Sequence, residues 1–364
     1  MISNPMLSDT SSAAGGDNEP GAILAVDRLR KYFPIRGGLL NRPVGYVHAV
    51  DDVSFSVFRG ETLGIVGESG CGKSTLARLL MQLMPADAGV MEIGGSVMRG
   101  RGRRSLREMR RMLQMVFQDS HSSLNPRLPI EASVTYGPRV HGIDPVEARR
   151  IAHDLLRKVG LDPLVFGKRY PHELSGGQKQ RVNIARALAL QPQVVILDEA
   201  VSALDKSIEA QVLNLLRSLK RDLGLTYLFI SHDLGVVQYI SDRILVMYLG
   251  QIVEVGPVER VYGAPKHPYT AALLASRLAV NPDERIESPP LTGDPPNPID
   301  PGAGCRFRSR CAFAEDVCAR VTPQLGRGAG RSAHVAACHL GDPASGHSKA
   351  SIAANSVIGR EGHD

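Results

Sequence analysis

Short apolar or alternating runs, bounded by turn residues, open the readable part of the chain: Ile23–Val26, Val47–Val57 and Thr62–Val66. Runs of this kind predict strands. After a glycine-rich break, apolar positions recur at helical spacing from Lys73 to about Met84, and Pro85 is expected to stop that helix. Leu113–Phe117 predicts a short buried strand. Residues 120–175 carry a mostly helical pattern, punctuated by Pro126, Pro129, Pro138, Pro145 and Pro163. Val194–Leu197 and Leu225–Ile230 are continuous apolar runs between helical stretches, the pattern of parallel strands covered on both faces. Ile244–Tyr248 and Gln251–Val255 flank Gly250 as the arms of a hairpin would. From about Pro265 the pattern becomes loop-rich, with Pro282, Pro289, Pro290, Pro295, Pro296, Pro298 and Pro301. Residues 1–21 and 341–364 are small and polar and are expected to be disordered tails.

Composition narrows the class without choosing a function. The 364 residues are enough to bury a sizeable core, and 43% hydrophobic with 22% charged residues is ordinary for a globular chain. No apolar run approaches the roughly 20 residues that span a bilayer, and the start lacks the basic and apolar regions of a signal peptide. A cytoplasmic protein is therefore expected, with cysteines that do not form stable disulfides. The net charge of +6 permits an anionic partner but does not say which. The basic run Arg99, Arg101, Arg103, Arg104, Arg107, Arg110 and Arg111 is read as a solvated helix face rather than a nucleic-acid site.

The glycine-rich break carries the first chemistry. Gly67, Glu68, Ser69, Gly70, Cys71, Gly72, Lys73, Ser74 and Thr75 follow an apolar strand and open a helix, the strand–loop–helix setting of a phosphate-binding P-loop. Glycines let the backbone wrap closely around phosphate, with N–H groups and the helix N-terminus aimed at it. Lys73 is the candidate to bridge terminal phosphates and Ser74 to hold Mg²⁺. Cys71 fits as a small residue whose thiol is incidental.

Two more candidates sit at strand ends. The run Val194–Leu197 ends in Asp198 and Glu199, which a buried strand would carry to its C-terminal edge, where open α/β sheets bind ligands. Asp198 suits Mg²⁺, directly or through water, and Glu199 suits a general base for the attacking water. His232 follows Leu225–Ile230 at the same edge, placed to contact a γ-phosphate.

Leu174-Ser175-Gly176-Gly177-Gln178 precedes a helix pattern running to about Leu190. Ser175 and the glycines offer hydroxyl and backbone donors at a helix N-terminus, a second anion site. One chain needs only one triphosphate cradle, so the second makes sense if it completes the site of a partner. With this LSGGQ sequence the chain resembles the ABC ATPases, from about Ala22 to Tyr262. The resemblance implies an α/β fold: a P-loop ABC ATPase domain over 22–262, with a RecA-like parallel core, an antiparallel β subdomain and a helical subdomain at about 120–175. It implies that Tyr32 stacks on adenine and that Gln118 is the Q-loop glutamine touching Mg²⁺ and water. Ser202-Ala203-Leu204-Asp205 matches the D-loop, and His232 the switch histidine. ATP and Mg²⁺ are the implied cofactors, bound between two head-to-tail ATPase domains.

Within that family, Tyr32-Phe33-Pro34-Ile35-Arg36, Gln118-Asp119-Ser120, Ser122–Arg127, Tyr170-Pro171-His172-Glu173 and Lys266-His267-Pro268-Tyr269-Thr270 are similar to the peptide-type importers of dipeptides, oligopeptides, nickel or glutathione. Residues 263–340 would then be their small C-terminal extension. Lys206 is uncommon after the D-loop in that group. The implied partners are a second ATPase subunit, in a hetero- or homodimer, two integral membrane permeases, and an extracytoplasmic solute-binding protein. Arg36–Tyr46 looks like the F-type member of a heterodimer. The implied place is the cytoplasmic face of the inner membrane, with no nucleic acid. The rival is a soluble ABC ATPase of DNA or ribosomes, which would need a coiled coil, a zinc-finger insertion or two ATPase units, and none is visible in the sequence.

Cys305, Cys311, Cys318 and Cys338 crowd into the extension without the C-x-x-C pairs of most zinc modules. Four thiolates can bind zinc or an iron–sulfur cluster. Similar cysteines in the peptide-type group imply a [4Fe–4S] cluster. Zinc, with His334 or His339 substituting, and unliganded thiols are the alternatives.

Overall fold

A computed structural model describes residues 21–37, 41–98, 105–119, 122–276, 296–326 and 330–350. Residues 1–20, 351–364, Arg99 to Arg104, Ser120 and the prolines 282–295 named above lie outside these.

Two sheets organise the chain. The first is antiparallel, in the order β2-β1-β4-β5, from β1 (Ala22–Gly37), β2 (Arg42–Phe58), β4 (Ala88–Ile93) and β5 (Ser96–Val97). Strands β1 and β2 extend well beyond the apolar cores read from sequence, because bulged pairing carries polar residues such as Tyr32 opposite His48. The second sheet has seven strands in the order β11-β10-β9-β3-β8-β7-β6. Its parallel members are β3 (Thr62–Val66), β6 (Leu113–Val116), β7 (Val194–Asp198), β8 (Thr226–Ile230) and β9 (Arg243–Tyr248). Every residue of β3, β7, β8 and β9 is buried. That is why these strands read as continuous apolar runs rather than alternating ones. Strand β10 (Gln251–Pro257) folds back on β9 through Leu249 and Gly250, both in the left-handed region at φ 43 and 82. A two-residue turn with that geometry matches the twist of a hairpin.

Helix α1 (Lys73–Leu80) is shorter than its sequence pattern. Gln82, at φ 48, ends it in a Schellman arrangement: its N–H donates to Leu79 O and that of Leu83 to Arg78 O, so Pro85 is not the terminator. Helix α2 (Leu106–Met112) covers the end of the basic run, with a Ser105–Glu108 capping box. It buries Met109 and Met112 and exposes Arg107 and Arg111. The helical subdomain holds α3 (Ile130–Val140), α4 (Pro145–Lys158) and α5 (Pro163–Phe166), packed with α6 (Gly176–Leu188). Helices α7 (Lys206–Leu223) and α8 (Leu234–Ile240) flank the parallel sheet.

The C-terminal extension is not a separate body. After α9 (Val258–Gly263) and α10 (Pro268–Ala275) come α11 (Asp316–Arg320) and β11 (Val335–Ala336), which pairs with β10 and completes the large sheet. The expectation that disorder starts at Gly341 is corrected for residues 341–350. His347 is buried and donates from Nε2 to Phe313 O at 2.8 Å, while Ser348 N–H donates to Glu315 Oε2 at 2.9 Å. Composition missed this because the segment is held by a few polar contacts rather than an apolar face. Among the described residues, no helix is long and apolar enough to cross a membrane.

Candidate nucleotide site

Strands β3, β8 and β7 are neighbours, so the loops leaving their C-terminal ends meet at one edge. The phosphate loop leaves β3, His232 follows β8, and Glu199 follows β7. Two glycines of the loop are required by geometry. Gly67 has φ 151 and Gly72 φ 109, and an added Cβ would lie 2.2 Å from Met247 O and 2.1 Å from Ala49 O respectively. Ser69 and Gly70 form the exposed crown of the loop, and Ser74 and Thr75 begin α1. The Lys73 ammonium is buried and donates to Gly67 O at 2.7 Å and Glu68 O at 2.9 Å. Burial raises the Cys71 thiol above its ordinary pKa, which keeps it protonated and unreactive.

The acidic pair lies against the start of α1. Ser74 Oγ donates to Asp198 Oδ1 at 3.4 Å. Burial first, and then the charge of Glu199, raise the pKa of Asp198. Those causes make the pair hungry for a cation, and two oxygens so placed fit the sparse protein ligation typical of Mg²⁺. Glu199 turns away from the strand at φ 46, fixed by its N–H donating to Ile230 O at 2.9 Å. One carboxylate oxygen accepts from Gln118 Nε2 at 2.7 Å, and the other is 3.2 Å from His232 Nδ1. Two residues far apart in sequence, Gln118 and His232, therefore converge on the Glu199 carboxylate.

At the other end, Tyr32 stacks on His48 with ring centroids 4.0 Å apart. Its hydroxyl donates to Asp51, and burial followed by that bond pushes its pKa up to about 12. The Tyr32–His48 pair is a flat aromatic platform of the kind that accepts a base.

Ser175, Gly176, Gly177 and Gln178 open α6. Ser175 Oγ accepts from Gln178 N–H at 3.3 Å, and Gln178 Oε1 accepts from Ser175 N–H at 3.0 Å. The segment packs beside the D-loop and the start of α7: an added Cβ would lie 4.0 Å from Leu204 Cδ2 at Gly176 and 2.7 Å from Ile208 Cγ2 at Gly177. Asp205 is the N-cap residue of α7 without a side-chain capping bond. Lys206 bonds Glu209 and Asp233, each at 3.0 Å, and so ties the start of α7 to the turn after His232.

Sequence reasoning missed three residues here. Tyr269 Oη accepts from the N–H of Glu68 at 2.9 Å. Arg310 donates to both carboxylate oxygens of Glu68, at 2.8 and 3.1 Å. Arg306 donates to Asp51 and to Leu249 O. All three belong to the extension. The Lys266–Thr270 motif was a signal for Tyr269, but nothing local marks the arginines.

Cys305, Cys311, Cys318 and Cys338 line one small cavity with His267, His339 and His347. All four are free thiols. Burial, with the neighbouring thiols adding to it, pushes Cys305 up to about 11 and Cys338 up to about 12. Among the described residues, no three ligating side chains converge on one metal position. His334 is not among the residues that line this cavity, and its Nε2 is 2.7 Å from Glu254 Oε1. His339 lines the cavity but gives Nε2–H to Val321 O.

The ABC transporter family matches residues 50–202, and the oligopeptide/dipeptide transporter C-terminal region matches residues 253–318. The chain is 47% identical over 326 residues to the oligopeptide transport ATP-binding protein AppF of Bacillus subtilis, covering 87% of this chain and 97% of that one. It is 50% identical over 279 residues to the glutathione import ATP-binding protein GsiA of Pectobacterium atrosepticum, covering 76% of this chain and 45% of that one. Among solved structures, the dimeric post-hydrolysis state of the ATP-binding cassette MJ0796 bound to ADP and Pi superposes with TM-score 0.57 and 26% identity, over 65% of this chain and 98% of that one.

Proposed function

The chain belongs to the ABC transporter ATP-binding proteins of the oligopeptide/dipeptide type, and on that premise we propose that it hydrolyses ATP to drive import of di- or oligopeptides, or a related small solute, through separate membrane subunits. ATP hydrolysis coupled to transport is the activity of this family. The observation that carries the residue assignments is the convergence of Gln118 and His232 on the Glu199 carboxylate, beside Ser74 and Asp198.

The roles follow from that arrangement. The glycine cradle and the α1 N-terminus receive phosphate. Lys73 exchanges its bonds to two loop carbonyls for phosphate oxygens. Ser74, Asp198 and Gln118 would hold Mg²⁺, which would neutralise charge on the terminal phosphates. Glu199 takes the proton of the attacking water, and its two neighbours fix where the carboxylate points. His232 uses one ring nitrogen on Glu199 and keeps the other for the γ-phosphate. Tyr32 receives adenine.

Ser175–Gln178 lies on α6 beside the D-loop and is assigned to the nucleotide of a second ATPase subunit in a head-to-tail dimer. Tyr136, Val140, Val146 and Leu164, all more than half exposed, give the helical subdomain an apolar surface that we assign to the permeases. That contact holds the chain at the cytoplasmic face of the membrane, where a solute-binding protein on the far side delivers cargo. The soluble-ATPase rival has no use for the transporter region matched at 253–318.

We assign a [4Fe–4S] cluster to the four cysteines. The support is that all four thiols line one cavity and that four cysteine thiolates are the ligand set of such a cluster. Anoxically purified protein should be brown and carry iron, and colourless protein that holds zinc instead rejects the cluster.

The transport reading is tested by purifying the tagged chain from its native membranes and identifying what accompanies it. Two polytopic membrane proteins and an ATPase subunit are expected. Ribosomes or DNA without membrane proteins would move the chain to the soluble class.

A further inference from the structure

The cysteine-bearing segment does more than sit behind the ATP site: it touches both of its ends. Arg306 and Arg310 lie between Cys305 and Cys311, and the two point to different parts of the nucleotide pocket. Arg306 reaches the Asp51 carboxylate that also takes the Tyr32 hydroxyl, at the adenine end. Arg310 forks onto Glu68 in the phosphate loop. Between them Phe307 is buried edge-on against Tyr248, with ring centroids 5.4 Å apart, which pins the segment to β9.

The contact at the phosphate end is complete. Glu68 has three polar functions, and each is engaged. Its N–H donates to Tyr269, its carbonyl accepts from Lys73, and its carboxylate takes Arg310. The Arg310 side chain is only 5% exposed. A paired, planar fork of this kind fixes direction as well as charge. The charge matters because of where Glu68 stands. It is the first residue after Gly67 in a loop that must receive a polyanion. An unpaired carboxylate there would repel phosphate and would compete for the Lys73 ammonium.

We propose that Arg310 is a positioning residue for ATP, which neutralises Glu68 and holds the phosphate loop in its receiving shape from the C-terminal extension. This rests on the ATPase reading above. Arg310 does not touch the nucleotide. It acts through Glu68, so its effect belongs to binding and not to the hydrolytic step. The consequence is that the cysteine-lined extension and the ATP site are one mechanical unit, joined across 242 residues of sequence.

The test measures affinity for a fluorescent ATP analogue, together with KM and kcat, in wild type, R310M, R310K and R310M/E68Q, all in the full chain. Wild-type binding must be seen first, and its absence would remove the ATPase reading rather than this one. R310M should weaken binding about 10-fold, the size expected for losing one charge-assisted fork, with KM rising and kcat nearly unchanged. R310K keeps the charge and loses the fork, so about 3-fold is expected. E68Q in the R310M background removes the stranded carboxylate and should restore affinity to within about 3-fold of wild type. A purely structural arginine would give no such rescue. Wild-type affinity in R310M, or a double variant as weak as R310M alone, overturns the proposal. If R310M does not fold, R310K carries the test by its expected loss of about 3-fold, and wild-type affinity in R310K overturns the proposal.

Discussion

Replacing His267 with asparagine isolates how much of the chain's acid sensitivity comes from docking of the extension. His267 is 1% exposed, and its Nδ1 accepts the Tyr269 N–H at 3.0 Å at the start of α10. That bond needs the neutral ring. Burial lowers its pKa from 6.5 to about 4, against the opposing pull of Glu254. Above about pH 6.5 the ring is neutral whether the chain is folded or not, and stability does not depend on it. Between about 6.5 and about 4 the unfolded chain takes a proton that the folded chain refuses, so stability falls as pH falls. At about 1.4 kcal/mol per pH unit, the whole gap is worth about 3 kcal/mol, and about 2 kcal/mol of it is lost by about pH 5. Asparagine is a good N-cap, offers an oxygen to the same N–H, and does not titrate. Urea unfolding of wild type and H267N at about pH 7.5 and about pH 5 gives the difference directly. The gap between the two proteins should change by about 2 kcal/mol in favour of H267N at the lower pH. If both lose stability in parallel, the buried ring is not the source and the linkage argument fails.

Other variants test the site piece by piece. Lys73→Ala removes the ammonium that the phosphates need and should lose ATP binding in a nucleotide titration, so tight binding would count against the cradle. Gly72→Ala puts a Cβ 2.1 Å from Ala49 O at φ 109, and should abolish nucleotide binding while circular dichroism stays near wild type. Unchanged binding would mean that the loop can relax around it. Ser74→Ala leaves Asp198 as the one remaining group of that pair, and the Mg²⁺ concentration for half-maximal ATPase should rise about 10-fold or more. An unshifted Mg²⁺ curve would remove Ser74 from the ion.

The parts of this molecule legible in sequence are those whose signal is local. The loop from Gly67 to Thr75, the buried strands β3, β7 and β8, and the glycine pair of LSGGQ each concentrate their message in a few adjacent residues. Gln118, Glu199 and His232 could be proposed one by one, but their meeting at one carboxylate depends on strand order, which no single segment states. The end of α1 was misread because Gln82 takes a left-handed conformation that its residue type does not announce. Arg306 and Arg310 were invisible because their partners, Asp51 and Glu68, lie about 250 residues away and an arginine in a loop has no periodicity. Residues 341–350 were misjudged for the same reason: composition reports apolar burial, and this stretch is held by His347 and Ser348 through polar contacts.

The most direct test of the central claim is Glu199→Gln, measured for ATP turnover and for ATP-dependent self-association or pairing with its partner ATPase. Loss of a general base should cut turnover about 10²- to 10⁴-fold. ATP binding should persist, and the ATP-bound dimer should accumulate because it no longer hydrolyses its nucleotide to reopen. Turnover near the wild-type rate would contradict the account, since the carboxylate that Gln118 and His232 hold would then not be the base.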